Sequence, residues 1–495
     1  MDSPILHKLF EDIQIDHDAE SPVFLQLADG IVGLIRTGRL KAKDKLPGSR
    51  DVASILRINR ITVKKAFEEL TIQGWVESSV GRGTFVAGHI ENKVPIPLDI
   101  NISADAGKKA GFVIKQANYL SSVEDIVVPH LHLDDGYPDP RLAPLKELYR
   151  AYRNQLTRSG LYNKFGSYGN PAGSNYYRQT ISDYLNASRG LKTTANNILS
   201  VRGTLMGINL VCSALIEQGD VVVSGVPGWL RVEHNFIHAK ARHIGIPVDE
   251  HGISVSELKA VCQKHRVRLV YVTPHHHYPT TVSLRLDRRL ELLRLANEYG
   301  FIIFEDDYDF DFHYKQRPLL PLASADENGM VIYCGSFSKS FSPAFRMGYL
   351  VASEDAITHL SKVRVLLDRQ GDHILDNAMA DIITDGTIQR YVRRTLPVYE
   401  HRRDLFCGLL QQHLKEFVSF QVPEGGMSVW TVFNKSVDLL ELVKRAYQKG
   451  LLLSDGDVNV YPQLSLNALR LGFASSTEEE LTISVEMIAG LLKGN

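Results

Sequence analysis

Strand-like and helix-like segments alternate along this chain from about residue 131 to its end. Short apolar runs occur at 197–201, 221–226, 269–273, 301–304 and 331–337. Amphipathic stretches such as LDRRLELLRLANEYG lie between them. Continuous apolar runs are typical of parallel strands that helices cover on both faces. The alternation therefore predicts a large α/β part with a mainly parallel sheet and helices on both faces.

Length and composition limit the class of protein further. At roughly 100–200 residues per domain, 495 residues indicate two or three domains. A hydrophobic share of 44% and a charged share of 23% exclude a mainly disordered chain. No apolar run of about 18 residues indicates a membrane span, and the acidic N-terminus does not resemble a signal peptide. Four widely separated cysteines fit reduced, buried thiols, so we expect a cytoplasmic protein.

Positive charge is concentrated near the N-terminus, although the formal net charge of the chain is -1. Residues 36–65 contain ten Lys and Arg against two acids, a local charge of +8. Over residues 21–88 the count is eleven against six, or +5, so the rest of the chain carries about -6. A charge run alone is more often a solvated face of a small helical unit. The order of the elements in this segment favours a different interpretation.

The periodicity of the basic segment predicts three helices and a hairpin. Apolar residues recur at three- and four-residue steps over 24–34, which indicates an amphipathic helix. Ser49 is placed to cap a second helix, and Asn59 a third that stops at Gly74. The stretch WVESSVGRGTFVA then predicts two short strands. This order is that of a winged helix-turn-helix, in which the start of the third helix enters the major groove.

Three motifs of this segment resemble the DNA-binding domain of GntR-type bacterial regulators: LPGSRDVA, NRITVKKAFEEL and GWVESSVGRGTFV. The resemblance implies a double-stranded DNA operator, bound through its phosphates and base edges. By position it assigns the DNA contacts to Arg50, Arg60, Thr62 and Lys64, with Gly81 and Arg82 at the wing tip. Ile61 departs from the small polar residue expected at its position, which leaves the base preference there open.

A tether is predicted between the two parts of the chain. Residues 88–130 show little sustained periodicity, and a tether of this length lets the parts move relative to each other. We therefore expect a winged helix-turn-helix at 1–88, a linker at 89–130 and an effector domain at 131–495. The effector domain divides into a large subdomain, 131–375, and a small α+β subdomain, 376–495.

Polar residues follow the predicted strands, where ligands of such sheets bind. Ser336, Ser338 and Lys339 follow one strand, and the lysine could form a Schiff base with an aldehyde cofactor. The serines and Arg346 supply donors for a phosphate. Glu305, Asp306 and Asp307 follow another strand, and a carboxylate at this point could keep a pyridine nitrogen protonated.

Three further strand ends agree with this interpretation. Tyr308 supplies a phenol for a ring oxygen, Thr204 begins a helix whose free N–H groups favour an anion, and Trp229 places an indole where a ring could stack. Each signal has a commoner structural explanation, as a helix cap, a metal ligand, a turn or a core tryptophan. Together they form the set that pyridoxal phosphate needs.

The chain from about residue 134 to its end resembles a fold-type I aminotransferase. The resemblance rests on GYPDPRLAP, SYGNPAGSNYYRQTISDYL, VPGW, TPHHHYPTT, FEDDYDFDFHY, GSFSKSFSPAFRMGYL, PEGGMSVW and LRLGFA. It implies pyridoxal 5'-phosphate, held as a Schiff base by Lys339. Arg470 matches the arginine that holds a substrate or effector α-carboxylate. The further cofactor contacts that it implies are Asp306, Tyr308, Ser336, Ser338, Arg346, Thr204, the amide of Leu205, Trp229, Tyr278 and, across a homodimer, Tyr168.

With both motif sets, the full chain resembles the MocR/GabR-type regulators, which join a GntR-type module to an aminotransferase-like domain. The resemblance implies a cytoplasmic bacterial regulator, associated with the nucleoid when bound to DNA. Tyr278 stands where many aminotransferases carry an asparagine, which weakens any expectation of efficient catalysis. Leu205 and Met206 replace a polar pair, and Thr281 replaces a glycine.

Three adjacent histidines, His275, His276 and His277, invite a zinc hypothesis. On an extended segment, neighbouring side chains point to alternate sides, so the three rings cannot all face one ion. We therefore expect no metal site.

Three functions remain open at the level of the sequence. The leading one is a regulator that binds pyridoxal phosphate and responds to an amino acid, an amine or the vitamer itself. The second is a working aminotransferase with a fused DNA-binding module, and the third is a cofactor-free scaffold that only dimerises the module. The regulator resemblance favours a sensor over an enzyme.

Overall fold

The computed structural model describes residues 4–79, 81–92, 108–120, 128–157, 166–314, 319–453, 459–461 and 466–494. The chain divides into two compact units, residues 1–116 and 117–495. Of the predicted linker, residues 93–107 and 121–127 lie outside the described residues. None of the described helices combines the length and the apolar composition that crossing a membrane requires.

The N-terminal unit contains the predicted three helices and hairpin. They are preceded by a helix that the sequence analysis did not predict. The helices are α1 Pro4–Glu11, α2 Val23–Arg36, α3 Ser49–Leu56 and α4 Arg60–Ile72. The strands are β1 Val76–Ser79 and β2 Gly83–Val86, and a short 3-10 helix, Gly88–Asn92, follows them.

One of the two predicted helix caps is present in the structure. The cap at Asn59 is confirmed, because its side chain accepts a hydrogen bond of 2.9 Å from the backbone N–H of Ile61. The predicted cap at Ser49 is wrong, since Ser49 is already the first residue of α3 and no side chain caps that helix. Val52 of α3 and Val63 of α4 are fully buried in the core of the unit.

The second unit alternates strands and helices as predicted. Its helices are α5 Leu145–Thr157, α6 Asn175–Arg189, α7 Thr204–Leu215, α8 Leu230–His238, α9 Val255–Lys264, α10 Leu286–Tyr299, α11 Leu322–Ala325, α12 Phe337–Ser340, α13 Glu354–Leu367, α14 His373–Thr384, α15 Thr387–Leu414, α16 Leu439–Gln448 and α17 Glu478–Lys493. Two further 3-10 helices are Ala195–Asn197 and Pro343–Phe345. The strands are β3 Leu131–Leu133, β4 Ile198–Val201, β5 Val221–Val226, β6 Arg242–Asp249, β7 Gly252–Ile253, β8 Val267–Val272, β9 Ile302–Asp307, β10 Val331–Ser336, β11 Gly348–Val351, β12 Val418–Phe420, β13 Ser428–Phe433, β14 Leu451–Leu453, β15 Asn459–Tyr461 and β16 Leu466–Gly472.

The main sheet has eight strands in the order β4-β11-β10-β9-β8-β5-β6-β7. The five strands β10, β9, β8, β5 and β6 are parallel to one another. At one end of the sheet β7 is antiparallel to β6, and near the other end β11 is antiparallel to both β10 and the edge strand β4. Successive residues of β9 face opposite sides: Ile303 packs in one hydrophobic cluster with α6, α9, α10 and α14, and Phe304 in another with α7, α8 and α13. The predicted α/β layers are therefore confirmed.

The C-terminal part of this unit forms the predicted α+β subdomain. An antiparallel sheet of order β12-β13-β16-β15 packs against α15, α16 and α17. A separate parallel pair joins β14 to β3. The long helix α15 contains Pro397. Because proline has no backbone N–H group, one hydrogen bond of this helix is missing at that position. Arg470, the predicted carboxylate ligand, lies in β16 opposite Trp430 of β13.

Candidate functional site

A cavity of about 380 Å³ lies where strands β5, β9 and β10 end. We call it the strand-end cavity. Eleven of the predicted site residues line it: Thr204, Leu205, Trp229, Tyr278, Asp306, Tyr308, Ser336, Ser338, Lys339, Arg346 and Arg470. Five residues without a predicted role also line it: Asp135, Tyr137, Arg231, Tyr271 and Pro343. Parallel strands bring these positions to one edge because all their carboxyl ends point the same way.

Asp306, the penultimate residue of β9, is buried at this edge. Its carboxyl group accepts hydrogen bonds from the hydroxyl groups of Tyr271, at 2.7 Å, and Thr204, at 3.0 Å. Burial raises the pKa of Asp306 to about 7, although both hydrogen bonds act to lower it. A carboxyl group whose pKa is close to 7 ionises readily when a positively charged group approaches it.

Lys339 lies in the one-turn helix α12 that follows β10. Its ammonium group donates hydrogen bonds to the backbone oxygens of Gly136, at 2.6 Å, and Asp135, at 3.2 Å, and lies 4.3 Å from the ring centre of Tyr137. Burial lowers the pKa of Lys339, opposed by the charge of Asp135. A lowered lysine pKa makes the neutral amine, which is the nucleophilic form, easier to reach.

Donors for an anion converge at the start of α7. The first N–H groups of an α-helix have no intrahelical partner, and no described side chain caps the start of this one. Gly203, with φ +75°, precedes it, and a Cβ atom there would lie 2.9 Å from Nη2 of Arg346. Glycine therefore allows Arg346 to approach the helix start, and the hydroxyl groups of Ser336 and Ser338 line the same cavity.

Thr204 lies at the helix start that sequence analysis predicted to bind a phosphate, and it lines the cavity. In the structure its hydroxyl group donates to Asp306, a contact that the sequence analysis did not predict. Its neighbour Leu205 contributes to the cavity wall, as predicted for the helix start.

The aromatic residues of the cavity contact one another and the backbone. The rings of Trp229 and Tyr278 are 5.9 Å apart with an angle of 50° between their planes. The hydroxyl group of Tyr308 donates to the backbone oxygen of His276 at 2.7 Å. Both Trp229 and Tyr278 are half-buried, so each presents part of its ring to the cavity.

Arg470 is almost fully buried. Its Nη1 donates to the backbone oxygen of Pro279 at 3.1 Å, and its Nε lies 3.2 Å from Oδ1 of Asp135. The guanidinium carbon lies 5.1 Å from the ring centre of Tyr278. An internal carboxylate thus lies within ion-pair distance of the predicted carboxylate ligand, which the sequence analysis did not foresee.

The three adjacent histidines serve different partners. His275 lies 3.2 Å from Asp307, His276 lies 2.9 Å from Asp309, and His277 shares a hydrogen bond with the backbone oxygen of Pro227. Burial lowers the pKa of His277 to about 4, so this ring is neutral at pH 7. Among the described residues no group of three or more His, Cys, Asp or Glu side chains could hold a metal ion.

Tyr168 does not line the strand-end cavity. It lies in a separate groove of about 840 Å³ with Ser167, Gln370 and His373, and 71% of its surface is exposed. The guanidinium carbon of Arg369 lies 4.3 Å from the centre of its ring. An exposed aromatic side chain in a groove is available to a second copy of the chain.

Several cavity residues that were not predicted lie in or next to recognised sequence motifs. Asp135 and Tyr137 flank the first glycine of GYPDPRLAP, and Arg231 follows VPGW by two positions. Tyr271 lies within β8, on the face of the sheet opposite Val270. Tyr271 could have been noticed as a tyrosine within a buried apolar strand. A buried tyrosine hydroxyl group usually has a hydrogen-bond partner, which here is Asp306.

The predicted DNA contacts lie on the surface of the N-terminal unit. Arg50 of α3 and Lys64 of α4 are exposed, Thr62 is half-buried, and Gly81 and Arg82 are exposed in the turn between β1 and β2. Gly81 has φ +77°, a conformation that favours glycine.

The start of α4 is the basic end of that helix. Arg60, its first residue, donates from Nε to the hydroxyl group of Ser49 at 3.2 Å, which joins the starts of α3 and α4. Lys64 and Lys65 follow on the exposed side, whereas Glu68 and Glu69 lie further along. The first half of α4 is therefore the half that suits phosphates.

Comparison with known families divides the chain in the same two parts. The profile of the family described as aminotransferase class I and II matches residues 137–488. The profile described as bacterial regulatory proteins, gntR family, matches residues 25–86.

Individual relatives cover most of the chain. The uncharacterized HTH-type transcriptional regulator YdfD of Bacillus subtilis is 27% identical over 477 residues, which are 95% of this chain and 96% of the relative. The probable rhizopine catabolism regulatory protein MocR of Rhizobium meliloti is 26% identical over 446 residues, 89% of this chain and 87% of the relative. The crystal structure of Pyrococcus horikoshii kynurenine aminotransferase, in complex with PMP, is 26% identical with a TM-score of 0.67, over 74% of this chain and 91% of that chain.

Proposed function

Because this chain belongs to the aminotransferase class I and II family and carries a gntR-family helix-turn-helix domain, we propose that it is a transcription regulator that binds pyridoxal 5'-phosphate and changes its DNA binding when an amino acid, an amine or the vitamer binds. The observation that carries the proposal is the presence, in one chain, of a basic α4 start and a strand-end cavity built around Lys339 and Asp306. A cytoplasmic site of action and a homodimer belong to the same proposal.

The fold implies pyridoxal 5'-phosphate, and the residues of the cavity fit its chemistry. The uncapped start of α7, Arg346 and two serine hydroxyl groups suit its phosphate. The buried carboxyl group of Asp306 suits its pyridine nitrogen, since a protonated ring nitrogen supplies the positive partner that this acid lacks. Lys339 supplies an amine for its aldehyde.

When bound, the cofactor supplies an aldehyde that condenses with amines and a ring that withdraws electrons. The protein groups have separate tasks around it. Asp306 keeps a proton on the ring nitrogen, and Tyr271 and Thr204 fix the orientation of that carboxylate. Trp229 and Tyr278 line the cavity with half-buried rings that offer aromatic surface to the cofactor ring.

The DNA-binding part of the proposal rests on the N-terminal unit. Its first α4 residues are available to base edges in the major groove, and Arg50, Lys64 and Arg82 to phosphates. A ligand at Lys339 changes the affinity for DNA if it stabilises an arrangement of the protein that binds DNA more tightly or more weakly than the ligand-free protein does. DNA must then change the affinity for the ligand by the same factor.

A second candidate function is a working aminotransferase with a fused DNA-binding module. It is favoured by a specific observation: Lys339, Asp306 and Arg470, the three groups such chemistry requires, line one cavity. Release of a keto acid with multiple turnovers would support this function, whereas an absorbance change without turnover supports the regulator.

The decisive experiment measures DNA binding of the full chain. An operator is selected from random double-stranded DNA, and its affinity is measured with cofactor-free protein, with pyridoxal phosphate-loaded protein, and with added amino acids and amines. We expect the loaded protein to bind a defined sequence and its affinity to change with at least one ligand. The change should be absent in Lys339→Ala. Binding without sequence preference would contradict the regulator, and ligand-independent binding would leave the scaffold hypothesis standing.

A further inference from the structure

Arg178, on the buried side of helix α6, is a cation without an internal counter-charge. It is 7% exposed. Its Nη1 donates to the backbone oxygen of Ala195 at 2.8 Å and its Nη2 to the side-chain oxygen of Asn175 at 3.4 Å, while Nε has no partner among the described residues. Burial lowers the pKa of the Arg178 guanidinium group, and no described carboxylate offsets this effect.

The other buried arginines of the described chain are better compensated. Most of them have a carboxylate within ion-pair distance: Arg189, Arg364, Arg402, Arg403 and Arg470. Arg289 has no such partner, but its Nε, Nη1 and Nη2 each donate to a backbone oxygen. A buried charge without a counter-charge is costly, and a buried N–H group without an acceptor requires an explanation. The surroundings of Arg178 therefore suit an anion that comes from outside the chain.

Arg178 lines a groove of about 470 Å³, which we call the α13 groove. Among the described residues of its wall, Glu354 is the only acid. The other polar residues can donate hydrogen bonds, and they are Asn170, Asn196, Thr358, Ser361 and Lys362. Ser361 and Lys362 lie three and four positions after Thr358 on α13, so the three side chains share one face of that helix. None of the described residues of this wall also lines the strand-end cavity.

The charges in the α13 groove favour a phosphate group over a carboxylate. Arg178 and Lys362 carry two positive charges, against one negative charge on Glu354. A phosphate monoester carries a charge of about -1.5 to -2 at pH 7 and three oxygens that accept strong hydrogen bonds. A carboxylate carries a single charge and two oxygens. The volume of the groove also lies within the range of small-molecule sites, about 300–1,000 Å³.

We propose that the α13 groove binds the phosphate group of a small anion through Arg178, Lys362, Ser361 and Thr358. Helices α6 and α13 cover opposite faces of the main sheet beside its edge strand β4. A phosphate bound between them supplies the counter-charge of Arg178 and joins the two helix layers at this edge. The site goes beyond the proposed function, because it involves neither the strand-end cavity nor the DNA-binding unit.

The test measures phosphate binding to the full chain, which is loaded with pyridoxal phosphate and then desalted. Calorimetry in a phosphate-free buffer uses inorganic phosphate, glycerol 3-phosphate, D-glycerate and glycerol. We expect one saturable site per chain for both phosphate compounds, no binding of glycerol, and binding of glycerol 3-phosphate about tenfold or more tighter than that of D-glycerate. Equal affinities of the two phosphate compounds would identify free phosphate as the ligand, and tighter binding of glycerol 3-phosphate would identify a phosphorylated metabolite.

Lys362→Ala removes one phosphate contact at an exposed position of α13. We expect this variant to bind glycerol 3-phosphate about tenfold more weakly than the native chain does, as for the loss of one charged hydrogen bond. The matched control is Lys444→Ala, because Lys444 is likewise exposed within a helix, α16, but does not line the groove. The control should retain the native affinity.

Arg178→Met replaces the buried charge by an apolar side chain. Phosphate should raise the Tm of the native chain, because it binds the folded protein only, and this rise should be absent in the variant. Circular dichroism checks that the variant is folded, and Lys362→Ala gives an independent result if it is not.

Failure of both phosphate compounds to bind would overturn the assignment of the α13 groove. D-glycerate binding as tight as that of glycerol 3-phosphate would also overturn it, since the site would then suit carboxylates. Equal effects of Lys362→Ala and Lys444→Ala would show that phosphate binds elsewhere. These measurements contain neither DNA nor an amine, so their outcome is separate from that of the operator assay.

Discussion

The hydroxyl group of Tyr271 donates a 2.7 Å hydrogen bond to Oδ2 of Asp306, between neighbouring strands β8 and β9. The bond fixes the carboxyl group at the strand-end cavity but does not offset the cost of its burial, since the pKa of Asp306 is raised to about 7. Among the residues that the structure describes, no cationic side chain forms an ion pair with this acid.

The raised pKa of Asp306 predicts the sign of a pH effect on stability. The ordinary pKa is 3.8 and the folded one about 7, so between these values the folded protein holds a proton that the unfolded chain has released. Stability of the cofactor-free protein should therefore fall as pH rises from about 4 to about 7, by at most about 1.4 kcal/mol per pH unit for this group.

Asp306→Asn separates the contribution of Asp306 to the pH dependence of stability from the contributions of Glu305 and Asp376. The pKa values of those two residues are also raised to about 7. We expect the free energy of unfolding of the variant, measured in urea between pH 4.5 and 8, to depend less steeply on pH. The variant should also retain pyridoxal phosphate less tightly. Equal slopes for the two proteins would contradict the assignment.

Lys339 should be the residue that becomes covalently labelled by the cofactor. Borohydride treatment of the loaded protein should attach the pyridoxyl group to Lys339, because its amine lines the cavity and burial lowers its pKa. Peptide mass mapping checks the position, and Lys339→Ala should lose both the label and the visible absorbance. Lys362, on the partly exposed side of α13, is an internal control that should stay unlabelled.

Arg60 should contribute to DNA binding through both charge and position. Arg60→Ala should weaken operator binding by about 1–3 kcal/mol, because Arg60 begins α4 and is exposed. Gel shifts at several salt concentrations check the loss. Arg294→Ala removes the same charge from the second unit, where Arg294 pairs with acids of its own helix, and should leave the affinity unchanged. Similar effects of both changes would indicate a non-specific charge effect.

Ile61 should recognise a thymine methyl group. It is 64% exposed at the basic start of α4 and has no place in the core of its unit, and apolar side chains contact that methyl group in the major groove. Replacing the contacted thymine by deoxyuridine should weaken binding about fourfold, as expected for about 0.8 kcal/mol per buried carbon.

The variant Ile61→Ser should no longer distinguish thymine from deoxyuridine at that position. Ile72→Ser is the matched control, since Ile72 is 82% exposed at the opposite end of the same helix, and it should discriminate like the native protein. If no thymine in the operator responds to deoxyuridine, Ile61 does not read a base.

Tyr168 should complete the cofactor site of a second copy of the chain. Tyr168→Ala and Lys339→Ala should each bind pyridoxal phosphate weakly, whereas a mixture of the two should regain one complete site per mixed dimer. Restoration by mixing is expected because Tyr168 lies in a groove away from the strand-end cavity of its own chain. Sedimentation checks the dimer, and a monomer with intact cofactor binding would refute the prediction.

Sequence analysis identified most of the cavity because two kinds of information coincided there. Buried strands such as β9 and β10 were recognisable from their apolar runs, which directed attention to Lys339 and to the acids around Asp306. The family resemblance then singled out Asp306 among those acids. Positions at strand ends are fixed by local sequence once the parallel sheet is known. The same reasoning identified α4, because Asn59 and the apolar spacing define its start and its buried face.

Pairings between distant residues were beyond the reach of the sequence. Asp135 and Arg470 are 335 positions apart, and no local pattern predicts that the segment after β3 returns to β16. The hydrogen bond from the Thr204 hydroxyl group to Asp306 was likewise not predictable, because the two residues are 102 positions apart in the sequence. The helix α1 was not foreseen because its eight residues are too short for a clear periodicity.

Gly203 makes the anion end of the cavity sensitive to a substitution that leaves every reactive group in place. A side chain there would displace the Arg346 guanidinium group and would also have to adopt a positive φ that L-residues rarely take. A substitution at Gly203 would therefore weaken the hold on a phosphate while it leaves the lysine in place. The residue before the α7 helix is thus a second position, besides the lysine, to inspect when related sequences are compared for cofactor binding.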